Sequence, residues 1–222
     1  MSINLTNLNR LLKLCGSTEK ELISALRRDI ADEIRRETEE DHSPRDFHSP
    51  FWSDAKGHVI GIVDLVRQTE HRVAANDRRK RLYPVLTNGF LKWFQDLRRG
   101  TNERLSWMEE RVHNRYPVPG LELIIKVDNL LGLKIGIDRY RLVYPYFSEK
   151  PVLSEKWARI GLWLMSEALS DFSVTEMEIL DVLRGQSYSG KSVFFKGDEE
   201  AIFARRFTEI VEERERLSLE CH

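Results

Sequence analysis

The sequence predicts an α+β protein, mainly α: an N-terminal helical bundle followed by a small antiparallel β meander packed against C-terminal helices. Three observations lead there. Apolar residues recur at steps of three and four through most of the first 116 positions, the spacing of one helix face. At Pro117 to Gly120 the character changes to short segments rich in Ile, Val and Tyr. Helical spacing returns after Pro151, behind Ser caps. The chain thus divides into a helical portion, 1–116, and an α+β portion, 120–222, within one continuous domain or as two.

The elements follow in order. Leu5, Leu8, Leu11 and Leu12 mark a short helix that Gly16 stops. Thr18 and Glu21 form a capping box for a helix carrying Leu22, Leu26, Ile30 and Ile34 to about Glu39. Asp41 to Asp54 has two prolines and reads as a loop, with Ser53 as the next N-cap. Val59, Ile62, Val63, Val66 and Val73 then predict one long helix to about Arg81. Pro84 interrupts it, Phe90, Leu91, Phe94 and Leu97 form another, and Leu105 to Val112 adds a turn or two. Leu121–Val127, Leu131–Ile137 and Arg139–Phe147 read as two or three strands of a small meander or hairpin, with a helix as the alternative for the middle piece, since VDNLLGLKI also has apolar residues at helical spacing. Ser154 caps a helix with Trp157, Ile160, Gly161, Leu164 and Ala168 on its inner face. Ser173 and Glu176 form a second capping box and predict a helix over MEILDVL. A short SVFF strand and a helix from Asp198 to about Leu217, with Phe203, Phe207, Ile210 and Leu217 inward, complete the chain.

Composition narrows the function. With 222 residues, 41% hydrophobic and 32% charged, the chain can bury roughly 70% of its unfolded surface. A net charge of -1 excludes a whole-molecule field toward nucleic acid or an anionic membrane. No apolar run reaches the ~18–20 residues that a bilayer requires. The start, MSINLTNLNRLLKLCGS, lacks the cationic segment and cleavage site of a secretory signal. Cys15 and Cys221 belong to no C-x-x-C pair, which excludes a zinc knuckle or thioredoxin-like motif. The expectation is a cytoplasmic protein with no cofactor and no membrane contact.

Three patterns touch on chemistry. Gly185, Gly190, Lys191 and Ser192 match G-x-x-x-x-G-K-[ST], whose amides cradle phosphates when a strand enters the loop and a helix leaves it. The flanking sequence predicts the reverse order, helix then strand, so the match reads as a connector. His42, His48 and His58 crowd with Asp41, Asp46 and Asp54, residue types that hold zinc or iron, but without the i, i+4 spacing of a helical site. Glu122 with Lys126, and Asp128 with Lys134, are spaced to share a strand face, yet lack the compact carboxylate–lysine pattern of a metal-dependent nuclease.

Charge is unevenly placed. Ten Lys or Arg stand against four acids from Arg67 to Arg104, whereas acids dominate Glu19–Asp41 and Asp198–Glu220. Arg78, Arg79, Lys80, Arg81, Arg98 and Arg99 could face a nucleic-acid backbone, with Tyr83 and Trp93 as stacking surfaces. The favoured reading is instead that the acidic helices dock on the basic one, within the monomer or across a dimer. Trp163 or Trp52 is a candidate for a contact surface, although the favoured reading is that the tryptophans pack inside. Together these predict a non-enzymatic interaction or regulatory protein, an adaptor or neutralising partner, that binds another protein or itself. A nucleic-acid-associated protein is the first alternative and a nucleotide-binding or metal-dependent enzyme the second.

Overall fold

The computed structural model describes residues 4–38 and 47–220. Among them are seven α-helices and eight strands in two sheets, so the protein is α+β, mainly α. His42, Asp41, Asp46 and Cys221 lie outside the described residues.

The chain begins with β1 (Leu5–Asn7), not with a helix at Leu5. Asn7 ends the strand and caps α1 (Leu8–Gly16), its Oδ1 accepting from the Arg10 amide at 2.8 Å. The Thr18–Glu21 capping box forms at the start of α2 (Glu19–Thr38), with both reciprocal bonds present. Next, α3 (Ser49–Val59) occupies part of the segment expected to be a loop. Pro50 lies in its first turn, where a missing amide costs nothing, so it starts the helix instead of breaking it. Ser53 is consequently inside α3, not its cap. The single long helix expected up to Arg81 is divided: Gly61 adopts φ +78, and Asp64 caps α4 (Leu65–Ala74) by accepting from Val66 and Arg67. Pro84 likewise sits in the first turn of α5 (Tyr83–Arg99).

After α5 the residues expected to add helical turns form β2 (Leu105–Trp107). Then come β3 (Asn114–Pro117), β4 (Ile124–Val127), β5 (Leu131–Ile135) and β6 (Arg139–Tyr146). The three expected strands exist but do not form one meander. β4 pairs with β1 and β3 in a three-stranded sheet, whereas β5 and β6 form an antiparallel hairpin in the other. The turn from Asp128 to Leu130 carries the chain between sheets, and Asn129 takes φ 59 there, a conformation Asn tolerates better than most.

Next come α6 (Glu155–Ala168), β7 (Met177–Asp181), β8 (Gln186–Ser189) and α7 (Glu199–Glu220). α6 is the crossover that lets β7 lie parallel to β6. The five-stranded sheet has the order β2-β5-β6-β7-β8, with every other neighbouring pair antiparallel.

The most instructive correction is β7. The Ser173–Glu176 capping box is present, but it closes a single 3-10 turn and the chain enters a strand. All five residues of β7 are buried because helices cover both sheet faces. Met177 and Ile179 join the core on one side, Leu180 the core on the other. Glu178 gives the strand its helix-like acidity in sequence. Its carboxylate accepts from Trp93 Nε1 at 2.7 Å and pairs with Arg141 at 3.0 Å.

Two cores result. One face of the large sheet packs with α1, α2, α6 and α7; the other packs with α3, α4 and α5. Both cores draw residues from each side of Pro117, the first from Leu8 to Leu217 and the second from Phe51 to Val182. Phe203, Phe207, Ile210 and Leu217 face inward from α7, on the spacing the sequence predicts.

Candidate functional site

The phosphate-loop pattern occupies a β-hairpin. A strand, β7, does lead toward Gly185, contrary to the helix expected there. Past Gly185 the chain is again a strand, β8, antiparallel to β7, and no helix begins until Glu199. Both glycines have packing reasons. Gly185 takes φ +60, and a Cβ there would lie 2.4 Å from the Gly89 carbonyl oxygen on α5. At Gly190 a Cβ would lie 2.0 Å from the Val174 carbonyl oxygen. Lys191 and Ser192 are exposed; their amides bond back to Ser189.

The histidines are separated. His48 stacks on Phe147 with ring centroids 4.6 Å apart. His58 lies one α3 length away, about 15 Å along the axis, with Nδ1 3.0 Å from the Val63 carbonyl oxygen. Asp54 is taken by Arg72 through two bonds of 2.9 and 3.1 Å. No group of three metal-ligand side chains occurs among the described residues. The carboxylate–lysine pairs also come apart: Glu122 precedes β4, and Asp128 occupies the turn between the two sheets, away from the Lys134 position on β5.

The basic residues form two groups. Arg78, Arg79, Lys80 and Arg81 precede α5, and Arg98 and Arg99 end it, about 24 Å away along the helix. Arg81 makes a bidentate pair with Glu149, Arg99 pairs with Asp96, and the Arg79 guanidinium stacks on Tyr83 at 5.2 Å. Tyr83 and Trp93, expected as stacking surfaces, are both buried. Nor, among the described residues, do the acidic helices form a substantial packing contact with this segment in the monomer. α2 and α7 pack on each other, with Arg214 bonded to Glu33 and Arg27 to Glu220. Within α7, Arg206 pairs with Glu209 and Arg216 with Glu213 and Glu220, so part of the acidic charge is met along the same helix.

The aromatic contact surface lies elsewhere too. Trp52 is fully buried and donates to the Asn129 carbonyl oxygen at 2.7 Å, and Trp163 is half-buried against Phe203. Among the described residues Phe194 is the most exposed aromatic, at 76%, ahead of Trp107, Phe195 and Tyr140 at 45, 39 and 37%, and Phe194 and Phe195 stand side by side in the segment expected to be a short strand. That segment is an irregular loop braced at both ends. On one side Val193 is buried, and its amide and that of Ser192 donate to the Ser189 carbonyl oxygen at 2.9 Å. On the other, the Glu199 carboxylate accepts from the amides of Lys196 and Gly197 at 2.7 and 3.0 Å. Glu199 is held in turn by Arg159 of α6, buried with it at 3.0 Å, while Arg159 also reaches Asp198. The two phenylalanines therefore project from a fixed base. The signal in the sequence is their adjacency beside Lys196-Gly197-Asp198: a strand with one buried face would alternate, and FF does not.

A second feature is a cleft of about 550 Å³ between α3, the end of β2 and the β4–β5 turn. Lys56 reaches into it, hydrogen-bonded at 2.9 Å to the Asn129 side-chain oxygen. Burial and the repulsion of Arg111 hold the Lys56 amine below its ordinary value, at about 8, despite the opposing pull of Asp128. Sequence reading missed this because the three elements lie far apart in the chain.

No protein-family model matches the chain, and no curated protein matches it. No helix among the described residues is long and apolar enough to cross a membrane.

Proposed function

We propose that the protein is a non-enzymatic interaction module that docks a partner protein on the Phe194–Phe195 loop. One observation carries this reading: two adjacent aromatic side chains stand in solvent on a loop that buried groups hold in place. Exposed Phe costs hydration free energy and is a characteristic anchor at the centre of an interface, where a partner pocket encloses it. A braced loop loses little conformational entropy on docking, so more of the burial energy appears as affinity. Lys191 and Lys196 are exposed on either side of the pair and favour a partner whose apolar socket is rimmed by carboxylates. The adaptor or neutralising role follows from that socket, and a cytoplasmic setting is part of the proposal.

The experiment is a comparison of baits. Wild type and the double variant Phe194→Ala, Phe195→Ala are immobilised and exposed to host extract, with quantitative mass spectrometry of what each retains. A protein enriched on wild type and lost on the variant, at unchanged melting temperature, supports docking through the loop. Equal retention by both baits rejects it. Sedimentation velocity of the free protein separates a foreign partner from a second copy, whose dimer the double variant would dissolve.

A further inference from the structure

The cleft beside Lys56 has the features of a ligand site that the docking loop does not use. Three separate elements build it. α3 contributes Ser49, Ser53 and Lys56, at spacings of four and three that place them on one helix face. The end of β2 contributes Trp107 and the segment after it Arg111, and the β4–β5 turn contributes Asp128 and Asn129. Trp107 is 45% exposed, so one part of a large flat ring is open to solvent.

The lining carries two cations, Lys56 and Arg111, and two carboxylates, Glu110 and Asp128; the anion site is the space between the two cations. Among the described residues, the hydrogen-bond acceptor given to Lys56 is a neutral amide, at 2.9 Å, and it makes no ion pair with a carboxylate. Arg111 faces the same space closely enough to disfavour the Lys56 charge. Two like charges lining one cleft repel, and an anion placed between them removes that repulsion while gaining two charge-assisted hydrogen bonds. The Ser53 hydroxyl adds a donor from the helix side, which suits a group with several oxygens. The aromatic face of Trp107 suits a planar ring.

We propose that this cleft binds a small aromatic phosphomonoester, with the phosphate between Lys56 and Arg111 and the ring against Trp107. The phosphate is favoured over a simple carboxylate because its oxygens can meet donors from α3 and from the Arg111 segment at once.

The charged and titratable groups facing the site are Lys56 on α3, Arg111, Glu110 and His113 on the segment after β2, and Asp128 on the β4–β5 turn. Protonated Lys56 is the binding form. Its charge is lost as pH rises through about 8, so affinity falls roughly tenfold between pH 7 and 9. A phosphomonoester, with its second pKa at about 6, is almost wholly a dianion over that range and contributes no opposing change, so the pH dependence is read on the nucleotide and not on inorganic phosphate.

The test is calorimetric titration of the full chain with adenosine monophosphate, used as a ring-bearing phosphate probe, alongside adenosine and inorganic phosphate. The expected result is saturable binding of the nucleotide, weaker binding of inorganic phosphate, and none of adenosine. Trp107→Leu reduces affinity for the nucleotide at least fivefold and leaves that for inorganic phosphate unchanged. Arg111→Ala weakens both and moves the pH midpoint of binding upward, since Lys56 loses its repelling neighbour; a purely structural role for Arg111 would not move that midpoint. Lys56→Met weakens both at least tenfold and removes the pH dependence between 7 and 9. Absence of nucleotide binding at millimolar concentration overturns the proposal. So does binding that survives in both Lys56→Met and Arg111→Ala, and equal affinity for adenosine and its monophosphate overturns it as well.

Discussion

Gly185 and Gly89 meet backbone to backbone: a Cβ on Gly185 would lie 2.4 Å from the Gly89 carbonyl oxygen, and one on Gly89 would lie 2.1 Å from that of Val182. Neither position has space for a methyl group, and Gly185 also requires φ +60. The β7–β8 hairpin therefore seats directly on α5. The expected outcome is that Gly89→Ala and Gly185→Ala each cost at least about 2 kcal/mol, through forced separation of the backbones and, for Gly185, a left-handed conformation. Urea unfolding of the two variants measures this. Lys191→Ala, at an exposed position of the same motif, should leave the midpoint where it is.

The same hairpin shows which parts of the structure were legible in sequence. Helices were legible where an apolar stripe kept helical spacing over several turns, as after the Thr18–Glu21 cap and along Phe203, Phe207, Ile210 and Leu217. β7 was hidden because its code is a fully buried run, and the acid inside it is neutralised by partners distant in sequence. Trp93 lies 85 residues from Glu178, and no local window contains that bond. Prolines misled in the opposite direction, since Pro50 and Pro84 begin helices that they were expected to prevent or interrupt. For the candidate sites, the Phe194–Phe195 pair was visible as letters but its exposure was not. The Lys56 cleft depends on three elements that only folding brings together.

The Arg159–Glu199 pair predicts a coupled loss of stability and of loop geometry. Both side chains are almost wholly buried, and Glu199 also caps the loop that carries Phe194 and Phe195. Glu199→Ala leaves a buried guanidinium without that carboxylate, a change that costs about 3–5 kcal/mol. Asp198, half exposed on the same arginine, offsets part of it. Thermal melts measure the stability. Amide hydrogen exchange at Lys196 and Gly197 measures the loop, and should accelerate beyond the change in global unfolding.

Cys15 predicts a thiol without native reactivity. It is fully buried, and burial is the main cause that pushes it up from 9.0 to about 12. In a Cys221→Ser variant, reaction of the remaining thiol with an aromatic disulfide at pH 8 should proceed only at the rate of global opening and should accelerate in step with added urea. Fast labelling in native buffer would contradict the packing of α1 against α6 and α7.

The same burial sets an alkaline limit on stability, and the sign follows from which state keeps its protons. Burial raises Cys15 from 9.0 to about 12 and Tyr146 from 10.0 to about 12, and raises Tyr144 further. In the unfolded chain these groups ionise near their ordinary values. At these three groups the folded state therefore binds more protons between about pH 9 and 12, and their contribution to stability falls as pH rises; Lys56, lowered from 10.5 to about 8, opposes Cys15 up to about pH 10, so the net fall begins above that. Cys15 acts first, from about pH 9, and the two tyrosines add from about pH 10, each contributing a slope approaching 1.4 kcal/mol per pH unit. The Tyr144 hydroxyl accepts from the Asn9 amide at 2.9 Å, and that of Tyr146 donates to the Pro151 carbonyl oxygen at 2.7 Å. Tyr146→Phe keeps the ring and removes the ionisation. Guanidinium melts at pH 8, 9.5 and 11 should show a steep loss above pH 10 in wild type. The variant should start lower, by the about 1 kcal/mol of one lost hydrogen bond, and decline less steeply above pH 10. Parallel curves would mean that Tyr146 ionises as readily in the fold as in the open chain.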